Sequence, residues 1–216
     1  MRKTIIAFTV LFLCLIGIAP ANGAEPMDAI REPIEQGLAL VNDPTYHAPE
    51  KQEELRGKIW DMVKDSFDFE AISMRALGRN WRDFSPSQRK EFTTAFTELL
   101  KNTYLNSVEG QERRERVEFL EEEKITENRA VVRTRLHAGE TEIPIDYSLL
   151  ARDGKWRVYD VNIEGVGMVQ NYRTQFAEIL AKESPDALIA RIRDRNIKNW
   201  EGREQGRRET ASPADG

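Results

Sequence analysis

The sequence predicts an α+β fold, in which a four-stranded antiparallel sheet is curved and its apolar face is covered by helices from both ends of the chain. Two observations predict this fold. Apolar residues recur at helical spacing before residue 109 and after residue 167, whereas they alternate with polar residues between residues 114 and 163. Turn signals divide the alternating segment into four strands, and strands joined by short turns pair antiparallel.

The first 24 residues have the composition of a cleavable signal peptide. Arg2 and Lys3 precede the apolar run Ile5–Ile18, and small residues follow it. This run is shorter than the roughly 20 residues that span a bilayer. The one cysteine of the sequence, Cys14, lies inside this segment. We therefore expect residues 1–24 to be removed on export and the exported chain to fold without a disulfide.

The rest of the chain is expected to form a single domain over residues 25–200. About 190 residues follow the signal, which is enough for one hydrophobic core. Residues 201–216 are rich in Gly, Arg and Glu without apolar periodicity, and we expect them to be a disordered tail. The formal net charge of −5 argues against a nucleic-acid-binding protein, which would carry a basic footprint.

Three short helices are predicted before the longest one. Asp68 is placed to cap the third of them through its side chain. The apolar stripes of the three helices are Ile30, Ile34, Leu38 and Val41; Leu55, Ile59, Met62 and Val63; and Ile72, Ala76 and Leu77.

The clearest helix runs from about Pro86 to Val108. Ser85 and Gln88 form a capping box around Pro86 at the first helical position, and Gly110 follows the helix. Its apolar stripe consists of Phe92, Ala95, Phe96, Leu99, Leu100 and Tyr104.

The alternating segment supplies the four strands. Turns are predicted at Glu127-Asn128, Ala138-Gly139 and Asp153-Gly154. One face of the resulting meander is polar and the other is apolar. Two helices follow the sheet, and Ser184-Pro185 begins the second of them.

Two blocks of the chain resemble the MlaC family of periplasmic phospholipid-binding proteins, also called toluene-tolerance proteins. The first, Phe67–Tyr104, contains F-D-F, L-G-x-x-W and S-P-x-Q-R-x-x-F. The second, Trp156–Met168, contains Y-D-x-x-x-E-G-V. The likeness extends from about Met27 to Asn199. Family members often carry Ser after E-G-V, where this chain has Gly167.

The resemblance implies a fold and a function. The fold is a sheet wrapped by helices in a cone-like shape, with an apolar cavity. The function is that of a non-enzymatic, monomeric periplasmic carrier that binds the acyl chains of a phospholipid and needs no cofactor. Its partners would be an outer-membrane lipoprotein–porin complex and an inner-membrane ABC transporter complex, between which it would shuttle phospholipid.

The resemblance also implies that apolar residues of the strand face and of the facing helix stripes bind lipid. The periodicity alone does not separate such residues from an ordinary core. The candidates are Phe69, Ile72, Leu77, Phe92, Phe96, Leu99, Leu100, Tyr104, Ile143, Ile145, Tyr147, Leu149, Val158, Val161, Ile163, Val166, Met168, Val169, Tyr172 and Phe176. Arg79, Trp81 and Arg82 are candidates for contact with a head-group phosphate or a partner protein, or else for an ordinary solvated loop.

Motifs for catalysis and metal binding are missing from the sequence. The two histidines, His47 and His137, are isolated, so a structural zinc site is not expected. Nucleophile-elbow, P-loop and dinucleotide-binding fingerprints do not occur. Two alternatives to a lipid carrier stay open. One is a periplasmic chaperone or adaptor that binds apolar protein segments, and the other is an enzyme of related cone-like fold.

Overall fold

The structure, a computed structural model, describes residues 25–105 and 115–197. The predicted signal peptide, the predicted helix end at Val108 with Gly110, and the predicted tail lie outside the described residues. Six helices occur in the described part, joined in the N-terminal half by short 3₁₀ turns. They are α1 Pro26–Val41, α2 Gln52–Val63, α3 Phe69–Leu77, α4 Pro86–Leu105, α5 Met168–Leu180 and α6, residues 185–197.

The predicted caps of α3 and α4 are confirmed. The Asp68 carboxylate accepts a hydrogen bond from the Ala71 amide at 2.8 Å, which satisfies a donor that the first turn of α3 leaves unpaired. At the start of α4, the Ser85 amide donates to Gln88 Oε1 at 2.9 Å. The backbone amide of Gln88 donates to Ser85 Oγ at 3.2 Å, which completes the capping box.

The sheet is antiparallel and has five strands, so the predicted number of four is wrong. The strands follow one another in space in chain order. They are β1 Glu115–Thr126, β2 Arg129–Ala138, β3 Thr141–Arg152, β4 Lys155–Ile163 and β5 Val166–Gly167. The two residues of β5 are too short to show a period of two, which is why the sequence indicated only a turn there.

The turn between β4 and β5 reverses the chain and begins α5. Glu164 and Gly165 both have positive φ, at 51° and 84°, and β5 pairs back on the end of β4. Gly167 is the N-cap residue of α5 and has no side chain to cap it. Asp160 supplies the cap instead, because its Oδ1 accepts hydrogen bonds from the amides of Val161 at 2.9 Å and Val169 at 3.0 Å.

Helix α1 covers one half of the apolar face of the sheet. Ile30 packs there against Val132, Leu149 and Val158, which are all at most 3% exposed. The alternation that predicted strands also decides this burial, because successive side chains of a strand point to opposite faces.

A second core lies among α3, α4, α5 and α6. Its centre is a group of aromatic rings from α4 and α5: Phe92, Phe96, Tyr172 and Phe176. Their centroids lie 4.9 to 5.6 Å apart, and several pairs meet edge to face. Such pairs stabilise a core beyond the area that they bury. This core lies beside the sheet and fixes the four helices to one another.

The role of Asp160 yields a stability prediction. Replacing Asp160 with Ala removes the acceptor for two amides, one of which is in the first turn of α5. We expect the free energy of unfolding to fall by about 1 kcal/mol in chemical denaturation. Asp160→Asn keeps a carbonyl acceptor and serves as the matched control, with most of the stability retained. Equal losses in the two variants would contradict a capping role.

Candidate ligand cavity

An apolar cavity of about 230 Å³ lies between the uncovered half of the sheet face and the helices. Strands β3 and β4 supply one wall, α2 and α4 supply the opposite wall, and the segment that leads into α3 closes one side. The lining is almost entirely carbon. Its residues are Trp60, Val63, Phe67, Phe69, Ile72, Leu100, Lys101, Tyr104, Leu105, Ile145, Tyr147, Val161, Ile163 and Met168.

The sheet face is therefore divided between two roles along the strands. Leu149 and Val158 are in contact with α1 and belong to the packed core. Further along the same two strands, Ile145 and Ile163 are paired neighbours that face the cavity. The division depends on which helix stands over each half of the face.

Tyr147 brings a hydroxyl group to the cavity without bringing charge. Burial raises the pKa of Tyr147 to about 12, while a hydrogen bond with Thr134 acts in the opposite direction. Thr134, which is 1% exposed, also donates to the Ile145 carbonyl at 3.0 Å. The phenol thus stays neutral throughout the physiological range, in keeping with an apolar lining.

One rim of the cavity carries polar groups. Among the described lining residues, Lys101 alone is charged. Its Nζ lies 5.2 Å from the centroid of the Trp60 ring, within the range of a cation–π contact. Tyr104, one turn further along α4, is 40% exposed. An amphiphilic ligand would find its polar contacts at this rim and its apolar contacts inside.

Nine of the candidate lipid-binding residues lie around the cavity and eleven lie elsewhere. The nine are Phe69, Ile72, Leu100, Tyr104, Ile145, Tyr147, Val161, Ile163 and Met168. Seven of the others are buried in the helical core or adjoin it there: Leu77, Phe92, Phe96, Leu99, Val169, Tyr172 and Phe176. Leu149 and Val158 pack under α1, Ile143 is partly buried near the beginning of β3, and Val166 is 63% exposed.

Five lining residues were missed by the sequence analysis: Trp60, Val63, Phe67, Lys101 and Leu105. Trp60 and Val63 continue the apolar stripe of α2, so their spacing contained the signal. Lys101 had no such signal, because a lysine on an amphipathic helix is ordinarily a solvated residue.

Arg79, Trp81 and Arg82 lie at the opposite end of α4 from the cavity. Pro86 and Leu100 are separated by roughly 21 Å of helical rise, and the three residues precede Pro86. Arg79 and Arg82 are exposed, whereas Trp81 packs against the helical core. Arg89 of α4 holds the segment in place by donating to the Trp81 carbonyl at 3.0 Å.

Residues 25–105 and 115–197 contain neither a metal-binding cluster nor a membrane-spanning helix. No group of three or more His, Cys, Asp or Glu side chains is placed to hold a metal ion. In the same residues, no helix combines the length and the hydrophobicity that crossing a membrane requires.

These features define an α+β protein with an apolar cavity between an antiparallel sheet and its covering helices. The sequence profile of the MlaC protein family matches residues 31–194, and the chain belongs to this family. The resemblance of the two sequence blocks to this family is thus confirmed.

Two relatives are informative. The intermembrane phospholipid transport system binding protein MlaC of Haemophilus influenzae is 23% identical over 158 residues, which are 71% of this chain and 70% of the relative. A phospholipid-binding protein from Ralstonia solanacearum, solved in complex with a phospholipid, superposes with a TM-score of 0.70 at 23% identity. That match covers 82% of this chain and 99% of the Ralstonia chain, and it establishes the shared fold.

The raised pKa of Tyr147 predicts how stability changes at high pH. Since the folded state holds this proton more tightly than the unfolded state, unfolding releases it between pH 10 and 12. We expect the free energy of unfolding to fall by about 2 kcal/mol over that interval through this group. In chemical denaturation, Tyr147→Phe should lose this part of the pH dependence. A variant whose pH profile matches that of the parent would show that the phenol is not buried.

Proposed function

We propose that this protein is a periplasmic phospholipid carrier, which shuttles phospholipid between an outer-membrane lipoprotein–porin complex and an inner-membrane ABC transporter complex. The observation that carries the proposal is the cavity of about 230 Å³, which is lined almost wholly by carbon and has polar groups at one rim. Membership of the MlaC family and the names of the two relatives support the same ligand.

The acyl chains are the part of the ligand that the cavity fits. Taking one methylene group out of water contributes about 0.8 kcal/mol, so a lipid with about 28 methylenes would lose about 22 kcal/mol on release into water. Release into water is therefore far too slow for a carrier. Delivery requires contact with a partner that offers an apolar path, and no chemical step on the lipid is needed, so the protein acts as a carrier and not as an enzyme.

The cavity must enlarge to take a phospholipid. Ligand pockets for drug-sized molecules measure about 300 to 1,000 Å³, so 230 Å³ falls below that range. The walls belong to different hydrophobic clusters. Trp60 and Val63 belong to a small cluster of α1, α2 and α4, whereas Ile72 and Met168 belong to the helical core. Separation of α2 from the sheet would widen the cavity without opening the aromatic core.

Arg79 and Arg82 are proposed to meet a partner protein and not the head group. They are exposed and lie at the end of α4 that is remote from the cavity. Exposed arginines suit carboxylates on another protein surface. We further propose that the chain works as a monomer, with residues 1–24 as its export signal and residues 25–200 as one carrier domain.

The first test measures the lipid that copurifies with the protein. The exported chain, isolated from its native host without detergent, should yield phospholipid at near-stoichiometric amount in mass spectrometry of its organic extract. A folded protein with an empty extract would overturn the proposal, and cross-links to apolar peptides in the same sample would identify a chaperone or adaptor instead.

Filling the cavity should remove the ligand without unfolding the protein. In Ile145→Trp the larger ring occupies space for at least two methylene groups, so retained lipid should fall about tenfold. The matched control is Ile125→Trp on β1, where the parent side chain is 53% exposed. This control should retain lipid like the parent. Equal lipid content in both variants would place the ligand outside the cavity.

A further inference from the structure

A polar groove adjoins the apolar cavity and shares one side chain with it. The groove has a volume of about 630 Å³ and lies between α2, α4 and α6. Its lining includes the charged residues Glu53, Glu91, Glu98, Lys101 and Arg193. Lys101 lines both spaces, so a ligand that leaves the cavity at this side chain enters the groove.

The same two helices form walls of both spaces, and they present different side chains to each of them. Trp60 and Leu100 face the cavity, whereas Glu53 and Glu91, earlier in the same helices, face the groove. The apolar cavity and the charged groove beside it match the two parts of an amphiphile. Lys101 stands at the boundary between them.

The contacts of Lys101 leave its ammonium able to bind a ligand. Its Nζ lies 3.9 Å from Glu98 Oε2, which is beyond hydrogen-bond distance, and the side chain is 34% exposed. The neighbouring pair in the groove is tighter, since Arg193 donates to Glu91 at 2.9 Å. An ammonium group has three donors, and a phosphodiester oxygen is a strong acceptor for them.

We propose that Lys101 binds the phosphodiester of the carried lipid and that Glu98 receives a primary ammonium on its head group. The preferred ligand is then a zwitterionic, ethanolamine-type phospholipid. When phosphate engages Lys101, the carboxylate of Glu98 loses its partner. An ammonium group on the ligand restores the balance of charge, whereas an uncharged glycerol head group does not. Glu98 lies three residues before Lys101, about 4.5 Å along the helix, so both fit one head group.

The inference rests on the proposed carrier function and can be tested separately from it. The full exported chain is incubated with excess vesicles of equal parts phosphatidylethanolamine and phosphatidylglycerol with isotope-labelled acyl chains. The protein is then reisolated and its labelled lipid is measured by mass spectrometry. The parent should take up more of the ethanolamine lipid. Glu98→Gln should lower the ethanolamine-to-glycerol ratio about threefold, the scale of one partly exposed ion pair.

Lys101→Gln should lower the total uptake of both lipids about threefold, and Lys101→Arg should restore it because the cation is kept. Lys155→Gln on β4 and Glu178→Gln on α5 make the same charge changes at exposed positions that line neither the cavity nor the groove. Both controls should behave like the parent.

The readouts distinguish two kinds of failure. The head-group assignment is overturned if the parent takes up lipid normally but its ethanolamine-to-glycerol ratio is near one. It is also overturned if the Glu98 change leaves this ratio unchanged and the Lys101 change leaves the total uptake unchanged. Both results would leave the carrier function standing. A folded parent protein that takes up no labelled lipid would overturn both proposals.

Discussion

Asp68 fixes the helical half of the molecule to the sheet. Its backbone amide donates to the Val158 carbonyl of β4 at 2.9 Å, while its carboxylate caps α3 and lies 3.4 Å from Arg152 Nη1. The residue is only 9% exposed, and a carboxylate that is buried to this extent needs such partners to replace the water that it loses. Phe67 and Phe69, on either side of it, stack at 5.8 Å and line the cavity. The contact that orients α3 on the sheet thus also positions one wall of the cavity.

The segments that carry the family resemblance contribute both to the fold and to the cavity. Gly78 ends α3 at a φ of 57°, a conformation that glycine adopts without strain. Arg89 holds the Trp81 carbonyl, Phe92 lies in the aromatic core, and Asp160 caps α5. None of these five residues lines the cavity. Phe67 and Phe69 of the F-D-F motif do line it, so the recognisable residues divide between those that position the helices and those that form a cavity wall.

Local physics made the helices, the two caps and the alternating strands predictable, since the hydrophobic period and the side-chain acceptors are visible in the sequence. The division between core and cavity was not visible. Phe96 and Leu100 lie on one stripe of α4, yet Phe96 packs among aromatic rings while Leu100 faces the cavity. Only the position of α2 and of the sheet separates them. The position of Lys101 at the cavity was not predicted for the same reason, because it depends on Trp60 and on groove residues from other parts of the chain.

An unfilled apolar cavity costs stability, since its lining lacks the contacts that a packed core would have. A bound acyl chain restores those contacts, so ligand binding and folding reinforce each other. Retention then comes mostly from buried apolar area, which any phospholipid supplies to a similar extent. To discriminate among lipids, the protein needs a contact whose free energy differs between them. Among the described lining residues, Lys101 carries the charge that can provide such a contact. Because such a partly exposed pair contributes only about 1 kcal/mol, the proposed contact would bias the choice of head group without slowing delivery to a partner.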